Sequence, residues 1–415
     1  MMFRAWIIWL LSALFMSYKY ALEVSPSVMT GDLMREFSLS GVQMGHLAAC
    51  YFYAYLILQI PAGLLIDRWG PRRVTTVAMI LCAVGTYIFS TSGSFTFACL
   101  GRFLTGIGAS FAAINCLKLV ANWFPSNRFA FMAGLMMTVG MLGAVGGQAP
   151  LSAFISYLGW REAMSVLALA GLVIAGLFVW IVRDESPDQL EIAQIEKPAV
   201  LANLKSVLRN PQSWFLSLYS GFAFAPVSAF GGLWGVPFLS QAFGFSTDAA
   251  AQGSSLIFLG FALGAPVFGW FSDRIGDRKN VMLWGTITAC VCLAAVLYLP
   301  LPSFVVFSTL FLFGFSISSF LLCFTMIKEM HCATLAATSV GFMNAFDALF
   351  GAFSDPLTGK VLDYCWTGTM VDGVRIFSLS AYHYALFILI VYLGASLLFL
   401  RKVRDHRQES LLSSS

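Results

Sequence analysis

Charged side chains inside long apolar runs are the residues of this sequence that could do chemistry. Lys19 and Glu23 lie one helical turn apart in the first apolar run, with Tyr20 beside them. An ionisable side chain in lipid costs at least about 2.5 kcal/mol on insertion scales, so it normally faces a water-filled cavity or a partner. We therefore expect this group to bind a substrate or carry a proton. The alternative is a Lys–Glu pair that only stabilises its own helix.

Arg102 and Lys118 are the two cations of the fourth apolar run. At about 100° per residue they point about 160° apart on a helix, so they cannot both face one cavity. We expect Arg102 to face the same cavity as Lys19. Lys118 lies near the other end of its run, where it either extends its ammonium group to water or acts as a gate.

The eleventh apolar run carries a polar stripe. Asn344, Asp347, Gly351 and Asp355 fall within about 80° of one another on a helical wheel. Asp347 is near the middle of the run, and its carboxyl group is a candidate to carry a proton. Asp355 precedes Pro356, so its other interpretation is that it marks a break in the helix.

The composition places most of the chain in lipid. Hydrophobic residues make up 59% of the 415 residues and charged residues 11%, whereas about a quarter of the residues in a soluble domain are charged. Twelve runs are long enough to cross roughly 30 Å of hydrocarbon as helices. They are 6–30, 41–66, 73–92, 95–121, 129–157, 162–182, 212–241, 248–272, 280–299, 302–327, 335–362 and 382–401. We therefore predict an all-α membrane protein with twelve transmembrane helices.

Lys and Arg residues fall mainly on one side of these spans. If both termini are cytoplasmic, 17 of the 24 lie in cytoplasmic segments, three lie outside and four lie within spans. This bias predicts a multi-pass protein of the cell inner membrane with both termini in the cytoplasm.

The longest polar stretch divides the spans into two sets of six. We predict an N-terminal bundle (1–182), a cytoplasmic linker (183–211), a C-terminal bundle (212–401) and a cytoplasmic tail (402–415). In the linker, apolar residues from Val200 to Leu208 recur at helical spacing, which suits a short helix on the membrane surface. An ordinary polar connector with one helical turn is the alternative.

A charged loop occurs twice, after the second span of each half. The stretch 63–73 matches the stretch 269–279 at a constant offset of 206 residues. The matched residues are Gly63, Asp67, Arg68, Gly70, Arg72 and Arg73 in the first copy and Gly269, Asp273, Arg274, Gly276, Arg278 and Lys279 in the second. Glycine permits a tight turn, the carboxylate suits a helix N-terminus, and the cations suit helix C-terminal carbonyls or anionic lipid. The repeat indicates an internal duplication.

Twelve spans with this loop in each half resemble the major facilitator superfamily, and the resemblance covers essentially the whole chain. It implies two six-helix bundles around a central cavity that opens alternately to the two sides of the membrane. It also implies that the two charged loops form a conformational latch, which holds the halves together on the cytoplasmic side. The alternative is that these charges only fix the topology.

Two glycine-containing stretches are similar to further motifs of that family. Residues 101–108 resemble its Arg-x-x-x-Gly-x-Gly motif, in which the arginine, here Arg102, serves substrate or proton coupling. Residues 140–147 resemble its glycine-rich antiporter motif, but Ala144 stands where that motif has proline, and close helix packing is the alternative interpretation. Trp234 lies among glycines of the seventh span, which predicts a bent helix and a candidate gate.

The motifs that are missing narrow the function. The sequence has no phosphate-binding loop, no nucleophile motif and no metal-ligand spacing, so we expect no enzyme, no catalytic residue, no cofactor and no metal. We predict a secondary active transporter that moves an organic anion, amino acid or short peptide together with protons. Its expected partners are that solute, protons and membrane lipid, without nucleic acid, and we expect a monomer. The alternatives are a proton-coupled efflux antiporter and a sensor that does not transport.

Overall fold

Within the residues that the structure describes, twelve long helices form the body of the protein, as the sequence predicts. The computed structural model describes residues 2–125, 128–184, 200–330 and 335–404. The helices, numbered α1 to α12, are Phe3–Glu36, Gly41–Trp69, Pro71–Thr91, Phe95–Trp123, Phe131–Leu158, Trp160–Ile181, Pro211–Phe243, Thr247–Ile275, Arg278–Tyr298, Ser303–Glu329, Ala336–Tyr364 and Leu379–Lys402. Ten of these are long and apolar enough, within the described residues, to cross a membrane by length and composition. The helices α2 and α11 are equally long, with 29 residues each.

The helices pack as two bundles of six. In the first bundle α1 packs on α5, and α3 packs on α4 and α6; in the second, α7 packs on α11 and α12, and α8 on α10. The bundles meet where α2 packs along α11 and α5 packs on α8. The helices α2 and α11 therefore lie at the junction of the halves, where Asp347 and Asp355 of α11 are buried.

The connections are short where the structure describes them. A helix of ten residues, Val200–Arg209, precedes α7, so the predicted linker helix forms; its placement on the membrane surface stays a prediction. A two-stranded antiparallel hairpin, β1 (Met370–Val371) and β2 (Val374–Arg375), joins α11 to α12. The tail beyond 404, with Arg407, and the linker residues 185–199, with Lys197, lie outside the described residues.

Five of the described long helices, α1, α4, α5, α7 and α10, depart from α-helical geometry, and the irregular segments of α1, α5 and α7 lie next to one another. Ser25–Met29 forms a 3-10 turn in α1, with Pro26 at its start. The α-helical hydrogen bonding of α5 is interrupted at Gln148, between Phe129–Gly146 and Ala149–Leu158. The glycines around Trp234 predict a bent helix. In the structure this part of α7, Val227–Trp234, is a π-helical segment. Such irregularities free backbone groups and are frequent at functional sites.

Glycines let α2 and α11 approach closely at one end of the molecule. A Cβ on Gly45 would lie 2.4 Å from the carbonyl oxygen of Asp355, and one on Gly359 would lie 2.1 Å from the carbonyl oxygen of Gly41. We call this the distal end, and the end that carries the two charged loops the basic end. The halves are joined backbone to backbone at the distal end.

Candidate functional site

A cavity of about 60 Å³ lies between the two halves. Five of the six residues predicted for a substrate or proton site line it, namely Lys19, Tyr20 and Glu23 from α1 and Asn344 and Asp347 from α11. Aromatic and apolar side chains complete its wall, including Tyr51, Tyr55, Phe261 and Phe320. A mostly apolar pocket with a few convergent polar groups is the usual form of a small-molecule site.

Lys19 is the cation of this cavity. Its Nζ atom donates a hydrogen bond of 2.9 Å to Glu23 Oε2 and lies 3.4 Å from the centre of the Tyr20 ring. A second ring, that of Tyr55, is 5.2 Å away. Both side chains of the ion pair are nearly buried, with 4% of Lys19 and 9% of Glu23 exposed. The ammonium group is therefore largely dehydrated and is held by one carboxylate and by aromatic faces.

The polar stripe of α11 makes the second side of the cavity. Asp347 Oδ1 accepts a hydrogen bond of 2.6 Å from Ser220 of α7. Asn344 Nδ2 donates to Gln59 Oε1 of α2 at 3.2 Å, so this contact joins the halves at mid-depth. Ser220 and Gln59 are absent from the predicted site. The sequence signal for both is a polar residue inside a long apolar run.

Arg102 lies behind the cavity and is absent from its lining, which differs from the expectation that it faces the cavity. Its Nη1 donates to the carbonyl oxygen of Leu22 at 2.6 Å, and its Nη2 donates to that of Glu23 at 3.3 Å. These carbonyls lie where α1 leaves α-helical geometry at Ser25, and the Leu22 carbonyl also accepts a hydrogen bond of 2.9 Å from the Ser25 hydroxyl. The guanidinium group thus caps the first segment of α1 and positions Glu23.

Replacing Arg102 with Lys is expected to lower the free energy of unfolding by about 1 to 3 kcal/mol, since the ammonium group lacks the fixed planar fork with which the guanidinium group meets both carbonyls. Thermal unfolding of the purified protein measures this change. Arg209→Lys, on the exposed face of the linker helix, is the matched control. An R102K protein as stable as the control would contradict the capping role.

The two candidate gate residues lie in different surroundings. Trp234 is fully buried in the π-helical segment, and its Nε1 donates to the carbonyl oxygen of Asp355 at 3.2 Å. Lys118 is exposed on α4, toward the basic end. The structure thus places Trp234 at the contact between α7 and α11 and keeps Lys118 apart from the cavity lining.

Gln148 links the irregular segments of α1, α5 and α7 at the distal side of the cavity. Its Oε1 accepts a hydrogen bond of 3.0 Å from Ser27 in α1, and its Nε2 donates to the carbonyl oxygen of Gly231 in α7 at 2.9 Å. Ser254 of α8 donates to the same carbonyl at 3.0 Å. Gln148 is completely buried. These bonds join the halves, and Gln148 directly follows the glycine motif of residues 140–147.

A carboxylate makes a second junction at the distal end. Asp363, at the end of α11, accepts hydrogen bonds from the backbone N–H groups of Gly41 and Val42 at 2.7 and 2.8 Å. Arg375 donates to the same carboxylate at 3.1 Å. Negative charge at a helix N-terminus is favourable, so α11 of one half caps α2 of the other.

The first charged loop contacts its own half. The backbone N–H of Arg72 donates to Asp184 at 2.5 Å, and its guanidinium group donates to the carbonyl oxygen of Val179. Gly70 has a φ of +83°, and a Cβ there would lie 2.8 Å from Asp184. Both facts require glycine at this turn. The side chain of Asp67 is outside the described part of the loop.

The second charged loop also contacts its own half. Arg278 pairs with Asp273 at 3.0 Å and with Glu329 of α10 at 2.6 Å. Lys279 donates to the carbonyl oxygens of Arg401 and Val403 at the end of α12. These contacts brace each bundle at the basic end. A latch between the halves stays a prediction.

Two six-helix bundles around a buried cavity with a few convergent polar groups define a multi-pass helical membrane protein. Residues 6–354 and 226–413 match the family profile of the Major Facilitator Superfamily. The chain therefore belongs to the major facilitator superfamily, a family of transporters rather than enzymes.

Several known proteins are similar to this chain. The membrane sensor protein UhpC of Escherichia coli strain K12 is 26% identical over 392 residues, which are 88% of this chain and 87% of that protein. The probable nitrate/nitrite antiporter NarK1 of Thermus thermophilus is 27% identical over 312 residues, 72% of this chain and 67% of that protein. The crystal structure of a bacterial homologue of the human lysosomal transporter Spinster, inward-facing and unoccupied, superposes with a TM-score of 0.80 at 18% identity, covering 96% of each chain. That likeness confirms the fold.

Proposed function

We propose that this protein is a proton-coupled symporter of the cell inner membrane that moves a small organic anion, an amino acid or a short peptide. The observation that carries the proposal is the buried ammonium group of Lys19 in the cavity between the halves. A dehydrated cation attracts a carboxylate far more strongly than an exposed one. The substrate carboxylate would bind Lys19 in place of Glu23.

The rest of the cavity suits a small polar solute. Asp347 and Asn344, on the side of the second half, offer acceptors and donors to an amine or a hydroxyl group. The aromatic wall would enclose the apolar part of the solute. The name of the relative from Thermus thermophilus, a nitrate/nitrite antiporter, agrees with an anionic substrate for a protein of this family.

Transport would proceed by rocking of the two bundles. The closed distal end would face outward and the basic end, with both termini, would face the cytoplasm, as the distribution of Lys and Arg predicts. Opening the distal end would break the bonds of Gln148 and Asp363 between the halves. In that state the two charged loops would meet and act as the predicted latch.

Replacing Lys19 with Gln is expected to reduce solute accumulation in proteoliposomes by about tenfold or more, because a hydrogen bond between charged groups is worth about 1.5 to 3 kcal/mol. A thermal-shift screen of amino acids, short peptides, sugar acids and carboxylates first identifies the solute, since a ligand that binds the folded state raises the melting temperature. An imposed pH gradient then drives the uptake that is measured.

Lys205→Gln, which removes an exposed charge on the linker helix, is the control. Accumulation by K19Q at the level of this control would contradict the role of Lys19. A protein that binds the solute but gives no flux under any gradient would contradict the symporter.

That last outcome would favour a sensor instead. One protein that is similar to this chain over 88% of its length is named a membrane sensor protein. That name is the specific observation in favour of this second candidate. A sensor would use the same cavity to bind a solute and would change conformation without releasing it on the other side.

A further inference from the structure

A second, smaller cavity lies beside the first, toward the distal end. Its volume is about 10 Å³, which is room for one water molecule or one small ion. It shares Tyr20 and Glu23 with the larger cavity, and Ser228 of α7 and Asp355 of α11 also line it. Glu23 therefore lines both cavities.

Two polar atoms of this small cavity have no hydrogen-bond partner in the described structure, Asp355 Oδ1 and Ser228 Oγ. Only 1% of Asp355 and 6% of Ser228 is exposed. A buried carboxylate oxygen that is left without a partner is costly. Trp234 donates a hydrogen bond to the backbone carbonyl oxygen of Asp355. This hydrogen bond does not involve the carboxylate of Asp355.

The charges around the two cavities do not balance. Two cations, Lys19 and Arg102, stand against three carboxylates, those of Glu23, Asp347 and Asp355, and all five side chains are nearly or fully buried. With every group ionised, the cluster is one positive charge short. Either one proton on a carboxylate, as in the proposed symport, or one monovalent cation would neutralise it.

We propose that the small cavity binds one sodium ion between the carboxylates of Glu23 and Asp355, with Ser228 Oγ as a third ligand. Carboxylate and hydroxyl oxygens are the ligands that small, hard cations prefer. The ligands come from α1 of the first half and from α7 and α11 of the second, so the site is complete only when the distal end is closed. A bound ion therefore stabilises the closed distal end.

The site would also link ion binding to the substrate. Sodium in the small cavity attracts the Glu23 carboxylate away from Lys19, and the ammonium group becomes free to bind a substrate carboxylate. This part rests on the proposed function and deepens it, because it makes a metal cation a coupling ion. Sodium binding itself does not depend on transport.

The test is the melting temperature of the purified protein as NaCl replaces choline chloride at constant ionic strength. We expect a saturable rise with Na⁺ and none with K⁺. Asp355→Asn should raise the half-saturating Na⁺ concentration about tenfold or more, because it removes a charged ligand. Asp372→Asn, which replaces an exposed carboxylate in the turn between β1 and β2, is the control and should respond like the unchanged protein.

Three outcomes would overturn the site: no rise with Na⁺, an equal rise with K⁺, or an undiminished rise in D355N. If D355N does not fold, Ser228→Ala takes its place, and an undiminished rise there would likewise overturn the site. A sodium-dependent rise in a protein that transports nothing under Na⁺ or pH gradients would support the site and contradict the proposed function.

Discussion

Replacing Glu23 with Gln is expected to abolish gradient-driven accumulation of the solute while leaving counterflow exchange. Glutamine keeps the size of the side chain but cannot bind a proton or neutralise Lys19. The ammonium group would then be free to bind the substrate carboxylate in the absence of a coupling cation. Uptake would no longer depend on the gradient, so the solute would only equilibrate.

Proteoliposomes measure both processes on the same preparation. Accumulation is followed after a pH or Na⁺ gradient is imposed, and exchange is followed with labelled solute on one side and unlabelled solute on the other. Glu36→Gln is the matched control, because Glu36 lies at the distal end of the same helix and pairs with Arg161. The role of Glu23 would be contradicted if E23Q accumulated solute like E36Q.

Asp347→Asn tests the second carboxylate of the larger cavity in the same assay. We expect the same loss of accumulation if Asp347 carries the proton of the proposed symport. Normal accumulation by both E23Q and D347N would contradict the assignment of coupling to this cavity.

Gly45→Ala is expected to prevent closure of the distal end and to reduce transport strongly. The added methyl group would lie 2.4 Å from the carbonyl oxygen of Asp355, so α2 and α11 would have to separate by about 1 Å to reach ordinary contact. Overpacking of this kind costs about 1 to 3 kcal/mol, which shifts a two-state equilibrium by a factor of about 5 to 30 or more. The cost falls only on the closed state, because the contact is between halves.

Distance measurements between spin labels test this shift. Labels at Ser94 in the first half and Ser303 in the second are exposed at the distal end, in a background without reactive cysteines. We expect G45A to populate longer distances. Gly394→Ala is the control, because a Cβ on that glycine of α12 meets no atom within 4 Å. Unchanged distances and full transport in G45A would show that this contact does not limit closure.

The charge positions in the sequence identified most of the candidate site but not the behaviour of each residue. Four polar residues of apolar runs meet at one cavity, namely Lys19, Glu23, Asn344 and Asp347. Exposure to lipid would be costly for such side chains, so they face the interior of the protein. Arg102 shows the same signal but bonds to the carbonyls of Leu22 and Glu23. A helical wheel predicts the direction in which a side chain points. It does not predict the partner of Arg102, because those carbonyl groups become available only where another helix, α1, breaks.

The sequence by itself determined the twelve spans, the duplication and the superfamily, because long apolar runs and a loop repeated at a fixed offset are local features of the chain. Only the tertiary structure decided that Gln148 joins the breaks of three helices, and that Asp355 and Ser228 share a cavity with Glu23. These residues are far apart in the chain. Their contacts arise from the packing of one bundle against the other, which no local spacing records.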